Sequence, residues 1–246
     1  MSSSSLVLVT GSAGRIGRAV VAELTARGMP VRGFDRAPTP GLKDALVGSI
    51  ADPADVQKAM QGVHTLIHLA ATPDDDDFMT QLLPNNIVGV YLVLEAARAA
   101  GVRRAILASS GQVVWNQRIT GPWPISVDAP VSPRYWYAAA KVFLEAAGRS
   151  FSDAQYIPSV IAVRLGWCPR TLGQSNEIRA APWAQNVYLS PADAGRFFAC
   201  AVQAQAELPW AVVYATSKPV DRELVDLMPS RQLLGYVPRD TWPQGI

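Results

Sequence analysis

The chain has 246 residues, of which 49% are hydrophobic and 17% are charged. This length and composition predict one large globular domain and exclude a disordered protein. Lysine and arginine together number 22 against 20 aspartates and glutamates, which leaves a formal net charge of +2. So balanced a charge disfavours a nucleic-acid-binding protein, because such a protein needs a basic surface.

Targeting signals and metal-binding clusters are scarce in this sequence. The apolar run at 6–9 is too short for a signal peptide, and no run approaches the ~18 residues of a membrane span. Cys168 and Cys200 are too few for a disulfide framework. The four adjacent aspartates at 74–77 are interpreted as a solvated loop rather than a cation site. We therefore expect a cytoplasmic protein with no membrane contact and no bound metal.

Short apolar runs alternate with helical patterns along most of the chain. In chain order, the runs predict strands at 6–9, 31–35, 45–47, 65–69, 105–108, 160–165 and 211–215. The helical patterns predict helices at 16–27, 53–60, 78–100, 135–149 and 191–205. This alternation predicts a doubly wound α/β fold, in which helices cover both faces of a parallel sheet. Residues 166–189 show little periodicity and are expected to be irregular.

A glycine-rich turn, Gly11-x-x-Gly14-x-x-Gly17, joins the first predicted strand to the first predicted helix. Glycines let the backbone turn tightly and approach a pyrophosphate, to which the start of the helix offers free N–H groups. A lone glycine motif is a weak signal, but this one has a strand before it, a helix after it and an acid, Asp35, at the end of the next strand. This context predicts a dinucleotide-binding site.

Asp35 and its neighbour Arg36 bear on which dinucleotide binds. A carboxylate at Asp35 accepts hydrogen bonds from the adenosine ribose and repels a 2′-phosphate, which favours NAD. The guanidinium of Arg36 would instead favour the 2′-phosphate of NADP. We expect NAD as the cofactor, with NADP as the alternative.

Tyr137 and Lys141 stand four residues apart on a predicted helix and therefore share a face. A nearby ammonium favours the phenolate and lowers the pKa of a tyrosine from its usual ~10. A phenolate is a usable general base at neutral pH. Such a pair also arises by chance as a packed tyrosine and an exposed lysine, but its place after a dinucleotide motif favours the catalytic interpretation.

Five motifs together resemble the extended, epimerase-like branch of the short-chain dehydrogenase/reductase superfamily. In chain order they are the glycine turn, His68-Leu69-Ala70-Ala71, Asn86, Ala108-Ser109-Ser110 and Tyr137-x-x-x-Lys141. The resemblance covers roughly residues 6–165. It implies that Ser110 hydrogen-bonds the reacting oxygen, that Tyr137 exchanges its proton, and that Lys141 binds the nicotinamide ribose. It implies a cofactor site made of Gly11, Ala13, Gly14, Arg15, Ile16, Gly17, Asp35, Arg36, Ser49, Ile50, Leu69, Ala70, Ala71, Asn86, Tyr137 and Lys141.

Within that branch the sequence is similar to uronate dehydrogenases, which oxidise the anomeric carbon of a hexuronic acid to a lactone. The similarity extends through 86–99, 163–168 and 234–238. It implies substrate contacts from Thr72, Ser110, Gly111, Gln112, Tyr137 and Arg179, with Arg179 binding the uronate carboxylate. Three positions depart from the family pattern: Ser49 replaces an Asp that reads adenine, and Gly111 and Gln112 replace an Asn and a His that contact the sugar.

We expect one domain over residues 1–246, with a dinucleotide-binding core at 1–165 and a region at 166–246 that is mostly a substrate cap plus the last strand. So short a cap favours a small, sugar-like substrate, and the chain is expected to form a homo-oligomer. Five tryptophans fall in or beside the predicted pocket loops, where they either contact substrate or pack: Trp115, Trp123, Trp136, Trp167 and Trp183. Trp136, inside the catalytic helix, is expected to be packed.

These observations predict an NAD-dependent oxidoreductase acting on a small sugar-like alcohol, with a uronic acid among the candidates. Two alternatives remain at this stage. One is a sugar epimerase or carbonyl reductase of the same superfamily. The other is a dinucleotide-binding sensor without turnover, which would have no need of Ser110, Tyr137 and Lys141 together.

Overall fold

A computed structural model describes residues 5–205 and 208–246. A seven-stranded sheet forms the centre of the molecule, and each strand runs parallel to its neighbours in the order β3-β2-β1-β4-β5-β6-β7. The strands are β1 (Val7–Thr10), β2 (Val31–Asp35), β3 (Ala45–Val47), β4 (Thr65–His68), β5 (Arg104–Ser110), β6 (Ser159–Leu165) and β7 (Trp210–Ala215). The predicted doubly wound α/β fold is confirmed.

Helices connect the strands and cover both faces of the sheet. The α-helices are α1 (Arg15–Ala26), α2 (Pro53–Met60), α3 (Gly89–Ala99), α4 (Gln117–Thr120), α5 (Trp136–Asp153), α6 (Leu172–Ala180), α7 (Pro182–Gln185), α8 (Pro191–Gln203) and α9 (Met228–Leu234). Side-chain caps fix the start of three of them: Asp52 accepts from the N–H groups of Ala54 and Asp55 in α2, Thr171 accepts from that of Gln174 in α6, and Ser190 accepts from that of Asp193 in α8. Asp, Thr and Ser are residue types that favour this position.

The hydrophobic core lies in two layers, one on each face of the sheet. On one face α1 and α8 pack over the strands, where Val20, Leu24, Phe197 and Phe198 are fully buried. On the other face α2, α3 and α5 bury a second set of aliphatic side chains. Strands covered on both faces are apolar along their whole length, which is why the sequence showed continuous apolar runs.

The helix predicted at 78–100 has two parts in the structure. Residues Phe78–Val88 form wide π-helical turns, and α3 follows at Gly89. Pro84 lies inside the first part, and because proline has no backbone N–H it cannot continue an ordinary α-helical ladder. The segment expected to be irregular, 166–189, contains the short helices α6 and α7. In α6 only Ser175 and Ile178 are buried, so the helix leaves little apolar periodicity in the sequence.

Residues 239–244 pack beside α8, on the face of the sheet that α1 and α8 cover. Asp193 of α8 accepts hydrogen bonds from the backbone N–H groups of Arg239 and Asp240, and Tyr188 donates to the carbonyl of Gln244. Among residues 5–205 and 208–246, no helix is long and apolar enough to cross a membrane.

Candidate active site

A cavity of about 700 Å³ opens at the carboxyl ends of the central strands, which is where doubly wound folds bind ligands. Most of the residues predicted for the site line it: Gly11, Gly14, Arg15, Ile16, Gly17, Asp35, Arg36, Ile50, Leu69, Ala70, Ala71, Ser110, Gly111, Gln112, Tyr137 and Lys141. Five other predicted residues lie outside the lining: Ala13, Ser49, Thr72, Asn86 and Arg179.

The glycine turn lies between β1 and α1 and leaves no room for side chains at two positions. A Cβ at Gly17 would come 2.0 Å from the carbonyl oxygen of Gly11, and one at Gly11 would come 2.7 Å from the backbone nitrogen of Ala70. Gly11 also has a φ of +72°, which side chains rarely allow. The helix behind the turn begins at Arg15 with no side-chain cap. Its first N–H groups are therefore available to a phosphate, and the turn fits the pyrophosphate of a dinucleotide.

Asp35 ends β2 beside the glycine turn. Its Oδ2 accepts from the N–H of Ala13 at 3.0 Å, and its Oδ1 accepts from the N–H of Ala37 at 3.1 Å. A carboxylate has about four acceptor positions, so two remain for a ribose diol. Ala13 thus positions the acid rather than lining the cavity, and Arg36 lines the cavity next to it.

Ser110, Tyr137 and Lys141 meet in the same cavity from two elements, β5 and α5. The Nζ of Lys141 donates to the carbonyl of Ala108 at 2.7 Å and lies 5.6 Å from the centre of the Tyr137 ring. The backbone N–H of Tyr137 donates to Asp75 at 3.0 Å, which holds the first turn of α5. The other members of the aspartate run also have defined partners: Asp74 forms an ion pair with Arg170, Asp76 accepts from the N–H of Asp77, and Asp77 accepts from Thr80.

Burial dominates the acid–base properties of this group. It raises the pKa of Tyr137 to about 12; the Asp74 carboxylate adds to the rise, while the hydrogen bond with Ser110 and the Arg170 cation oppose it. Burial also lowers the pKa of Lys141 to about 8. The sequence led us to expect that Lys141 lowers the tyrosine pKa. The groups that lower it are instead Ser110 and Arg170, and loss of solvent around the phenol outweighs both.

Asn86 and Thr72 fasten the loop after β4 from outside the cavity. Asn86 accepts from the N–H of Thr72 at 2.7 Å and donates to its carbonyl at 2.9 Å. The hydroxyl of Thr72 is engaged with Asn85 and Gln81. Ser49 is occupied in a similar way, since its hydroxyl accepts from the N–H of Ala51. Asn85, which the sequence analysis did not single out, lines the cavity instead.

Arg179 lies on α6 but turns away from the cavity. Gln174 and Glu177 of the same helix line the cavity, and their spacing of three residues places them on one face. Arg179 is two residues beyond Glu177 and donates to the side chain of Asn176 at 2.8 Å. The helical phase of α6 explains this placement, because residues two apart do not face the same side.

Further arginines and tryptophans line the cavity beside the predicted residues. The lining includes Arg118, Arg164, Arg170, Trp115, Trp167 and Trp183. Trp123 and Trp136 do not line it, and Trp136, expected to be packed, has 62% of its surface exposed. None of the three arginines was predicted to line the site. Arg164 and Arg170 lie within six residues of each other at the end of β6, whereas Arg118 lies in a separate segment and lines the same cavity only through the fold.

A buried ion pair supports the strand that carries Ser110. Glu145 on α5 binds Arg164 of β6 at 2.9 Å, and it accepts from the hydroxyl of Ser109 at 2.5 Å. Both charged side chains are at least nine-tenths buried. In the described ranges, no cluster of three or more His, Cys, Asp or Glu residues forms a metal site.

Comparison with known proteins agrees with this geometry. Residues 7–166 match the model of the NAD-dependent epimerase/dehydratase family. An NAD-dependent glucose-6-phosphate dehydrogenase of Haloferax volcanii is 31% identical over 95% of this chain and 93% of its own length. An L-arabinose 1-dehydrogenase (NAD(P)(+)) of the same organism is 30% identical over 95% of this chain and 96% of its own.

The solved structure of uronate dehydrogenase from Agrobacterium tumefaciens is also similar, with a TM-score of 0.76 and 25% identity. The match covers 97% of this chain and 85% of that chain. The family resemblance and the expected NAD cofactor are thereby confirmed. The chain belongs to the NAD-dependent epimerase/dehydratase family of short-chain dehydrogenases/reductases and is an NAD(P)-dependent oxidoreductase.

Proposed function

We propose that this chain oxidises the anomeric hydroxyl of a monosaccharide or sugar acid to the lactone, with NAD as the oxidant. The observation that carries the proposal is the meeting of Ser110, Tyr137 and Lys141 in one cavity with the glycine turn and Asp35. In this proposal the three residues supply acid–base chemistry beside the turn that binds the dinucleotide, an arrangement that hydride transfer requires.

Each of the three residues has a distinct task in this proposal. Ser110 donates a hydrogen bond to the oxygen being oxidised, and it is held in place at the end of β5. Tyr137 accepts the proton of that hydroxyl, for which it must be a phenolate. Lys141 supplies positive charge close to the ring, 5.6 Å from its centre. NAD supplies the hydride acceptor.

The size of the cavity supports a small substrate. Its volume of about 700 Å³ falls in the range that one drug-sized ligand fills. The combined volume of a cofactor and a monosaccharide is therefore closer to the volume of this cavity than that of a cofactor and a nucleotide sugar. The names of three similar proteins, which act on glucose 6-phosphate, L-arabinose and uronates, support the same class. Gly111 and Gln112 line the cavity, and we propose that they alter its selectivity toward simple uronates.

The direct test is NADH absorbance with purified protein and a panel of aldoses, hexuronates and hexose phosphates. At least one member of the panel is expected to reduce NAD, and the product is expected to be a lactone by NMR. Recovery of an epimer of the sugar, with no net NADH, would make the chain an epimerase instead. Tight NAD binding with no turnover of any sugar or simple alcohol would favour a sensor.

We also propose that the chain forms a homo-oligomer in the cytoplasm. Large apolar side chains are exposed on neighbouring helices: Met79 at 67%, Tyr91 at 57%, Trp136 at 62% and Phe143 at 37%. A second copy of the chain would cover them. Cys168 and Cys200 are both free thiols, which suits a reducing compartment. Light scattering tests the oligomer, since a monomeric mass would contradict it.

Finally, we propose that residues 1–165 bind NAD while residues 166–246 cover the substrate and add the last strand. Trp167, Arg170 and Trp183 support this division because they line the cavity from beyond β6. The division predicts that substitutions at these three positions change substrate affinity more than NAD affinity. Calorimetric titration with each ligand measures both.

A further inference from the structure

On the substrate side, the cavity is lined by an arginine that lies against two tryptophan rings. The guanidinium carbon of Arg118, on the short helix α4, is 4.5 Å from the ring centre of Trp115 and 4.0 Å from that of Trp183. Trp115 comes from the segment just after β5, and Trp183 comes from α7. Aromatic faces attract a guanidinium and fix its orientation. One ring from its own segment and one ring from the distant helix α7 therefore hold this cation in the cavity wall.

This corner of the cavity contains hydrogen-bond donors that have no acceptor. The Nε of Arg118 and the Nε1 of Trp115 are both buried, and neither has a hydrogen-bond partner among the described residues. Both atoms can only donate. Buried donors in folded proteins are nearly always paired, so the corner is chemically incomplete without an acceptor from outside the chain.

The charge of Arg118 is also uncompensated within the described ranges. Two other arginines of the lining are neutralised, Arg164 by Glu145 and Arg170 by Asp74, whereas Arg118 takes part in none of the ion pairs there. Burial lowers the pKa of Arg118, and the neighbouring cation Arg134 lowers it further. An anion bound here would relieve both effects.

One carboxylate of the lining carries the charge opposite to that of Arg118. Glu177 of α6 lines the same cavity, and it forms no ion pair with Arg118 or with any other described residue. Glu177 therefore repels an anionic ligand, and it does not neutralise Arg118 through direct contact. Arg118 and Glu177 thus act on an anionic substrate with opposite sign, which gives an internal control.

We propose that Arg118 determines specificity by binding the anionic group of the substrate, so that the site takes a monosaccharide bearing a carboxylate or a phosphate. This inference rests on the proposed sugar oxidation. The planar fork of an arginine matches either group with two parallel hydrogen bonds. Trp115 and Trp183 preorganise the fork, and the acceptor oxygens satisfy the donors that the chain leaves unpaired.

The test compares Arg118→Gln with Arg179→Gln, whose guanidinium lies outside the cavity. For each protein, kcat/KM is measured with NAD and glucuronate, glucose 6-phosphate or glucose. The wild type is expected to prefer one anionic sugar over glucose by about tenfold or more, and its choice distinguishes carboxylate from phosphate. Arg118→Gln is expected to remove about tenfold through KM, with glucose unchanged. Arg179→Gln is expected to change none of the three.

Two further variants keep the test decisive if Arg118→Gln folds poorly. Arg118→Lys keeps the charge but not the fork, and it is expected to retain part of the preference for anions. Glu177→Gln is expected to lower KM for anionic sugars and leave that for glucose unchanged. Equal losses for glucose and the anionic sugars in Arg118→Gln would overturn the proposal, as would a loss of preference in Arg179→Gln alone.

A binding measurement separates this proposal from the proposed function. Glucuronate and glucose 6-phosphate are titrated into protein saturated with NADH, and tryptophan fluorescence is followed because two tryptophans contact Arg118. Binding that depends on Arg118, without any turnover, would support the anion site while the oxidation fails. Turnover of neutral sugars with no anion binding would support the oxidation and overturn the anion site.

Discussion

We propose a cofactor side and a substrate side for the cavity, and the two are built in different ways. The cofactor side consists largely of backbone: a glycine turn, the start of α1 and a carboxylate held by two N–H groups. The substrate side consists of side chains that come from separate segments, among them Trp115, Arg118 and Trp183. Backbone sites recur with short sequence motifs, whereas side-chain sites depend on how distant segments pack. Related proteins can therefore keep the same cofactor side while their substrate sides differ in specificity.

The largest effect, on stability, is expected at Glu145, whose carboxylate bonds both Ser109 of β5 and Arg164 of β6. Glu145→Ala leaves the Arg164 charge buried without a partner, and loss of one partner of a buried pair costs about 3–5 kcal/mol. Urea unfolding measures the change in the free energy of unfolding. Glu95→Ala is the matched control, because its pair with Arg98 is exposed and contributes far less to stability than a buried pair. Equal losses in the two variants would refute the role of Glu145.

Removing the proton acceptor should separate chemistry from cofactor binding. Tyr137→Phe keeps the ring and deletes the hydroxyl, so kcat is expected to fall by about 10²-fold or more, with an unchanged Kd for NAD. Tyr135→Phe, at a partly exposed neighbouring position, is expected to retain full activity. Stopped-flow and calorimetric titration provide the two quantities. Unchanged turnover in Tyr137→Phe would remove this residue from the mechanism.

The pH dependence of kcat/KM tests the separate roles of Tyr137 and Lys141. Burial keeps the pKa of Tyr137 near 12, so the phenolate is scarce at neutral pH and the oxidation rate should rise as pH increases. Lys141, whose pKa burial lowers to about 8, loses its charge above that pH, and the rise should level off there. A pH profile of kcat/KM tests both signs. A rate that falls between about pH 6 and pH 8 would contradict this assignment of the base.

A smaller effect is expected at Asp35 on the cofactor side. Asp35→Asn keeps an acceptor for Ala13 but removes the charge that repels a 2′-phosphate. The preference for NAD over NADP is expected to narrow by about tenfold, or ~1.4 kcal/mol. Calorimetric titration with both dinucleotides measures it. A wild type that binds NADP tenfold more tightly than NAD would transfer the role to Arg36.

The contrast between the two sides also explains how far the sequence could be interpreted. The strands were predicted to within a residue or two at most ends, because strands covered on both faces are continuously apolar. The glycine turn and Asp35 were recognised because their spacing fits the strand before the turn, the helix after it and the strand that ends at Asp35. Their predicted roles await the measurements above, as do those of Ser110, Tyr137 and Lys141.

The substrate side was harder to predict for physical reasons. Arg118 follows Ser110 in a stretch with no periodicity, and its partner Trp183 is far away in the sequence. Arg179 was chosen by resemblance, but the phase of α6 directs Glu177 to the cavity instead. The polar surface of that helix gave no signal of its phase. Asn86 was expected to line the site, whereas it holds Thr72 from behind.

In the proposed reaction, hydride leaves the anomeric carbon of a sugar in the cavity that holds Ser110, Tyr137 and Lys141. The most direct measurement uses a sugar that the protein turns over, deuterated at that carbon, followed by mass spectrometry of the reduced cofactor. The deuterium is expected in the NADH that forms. Reduced cofactor without deuterium would contradict this reaction, because the hydride would then come from another carbon.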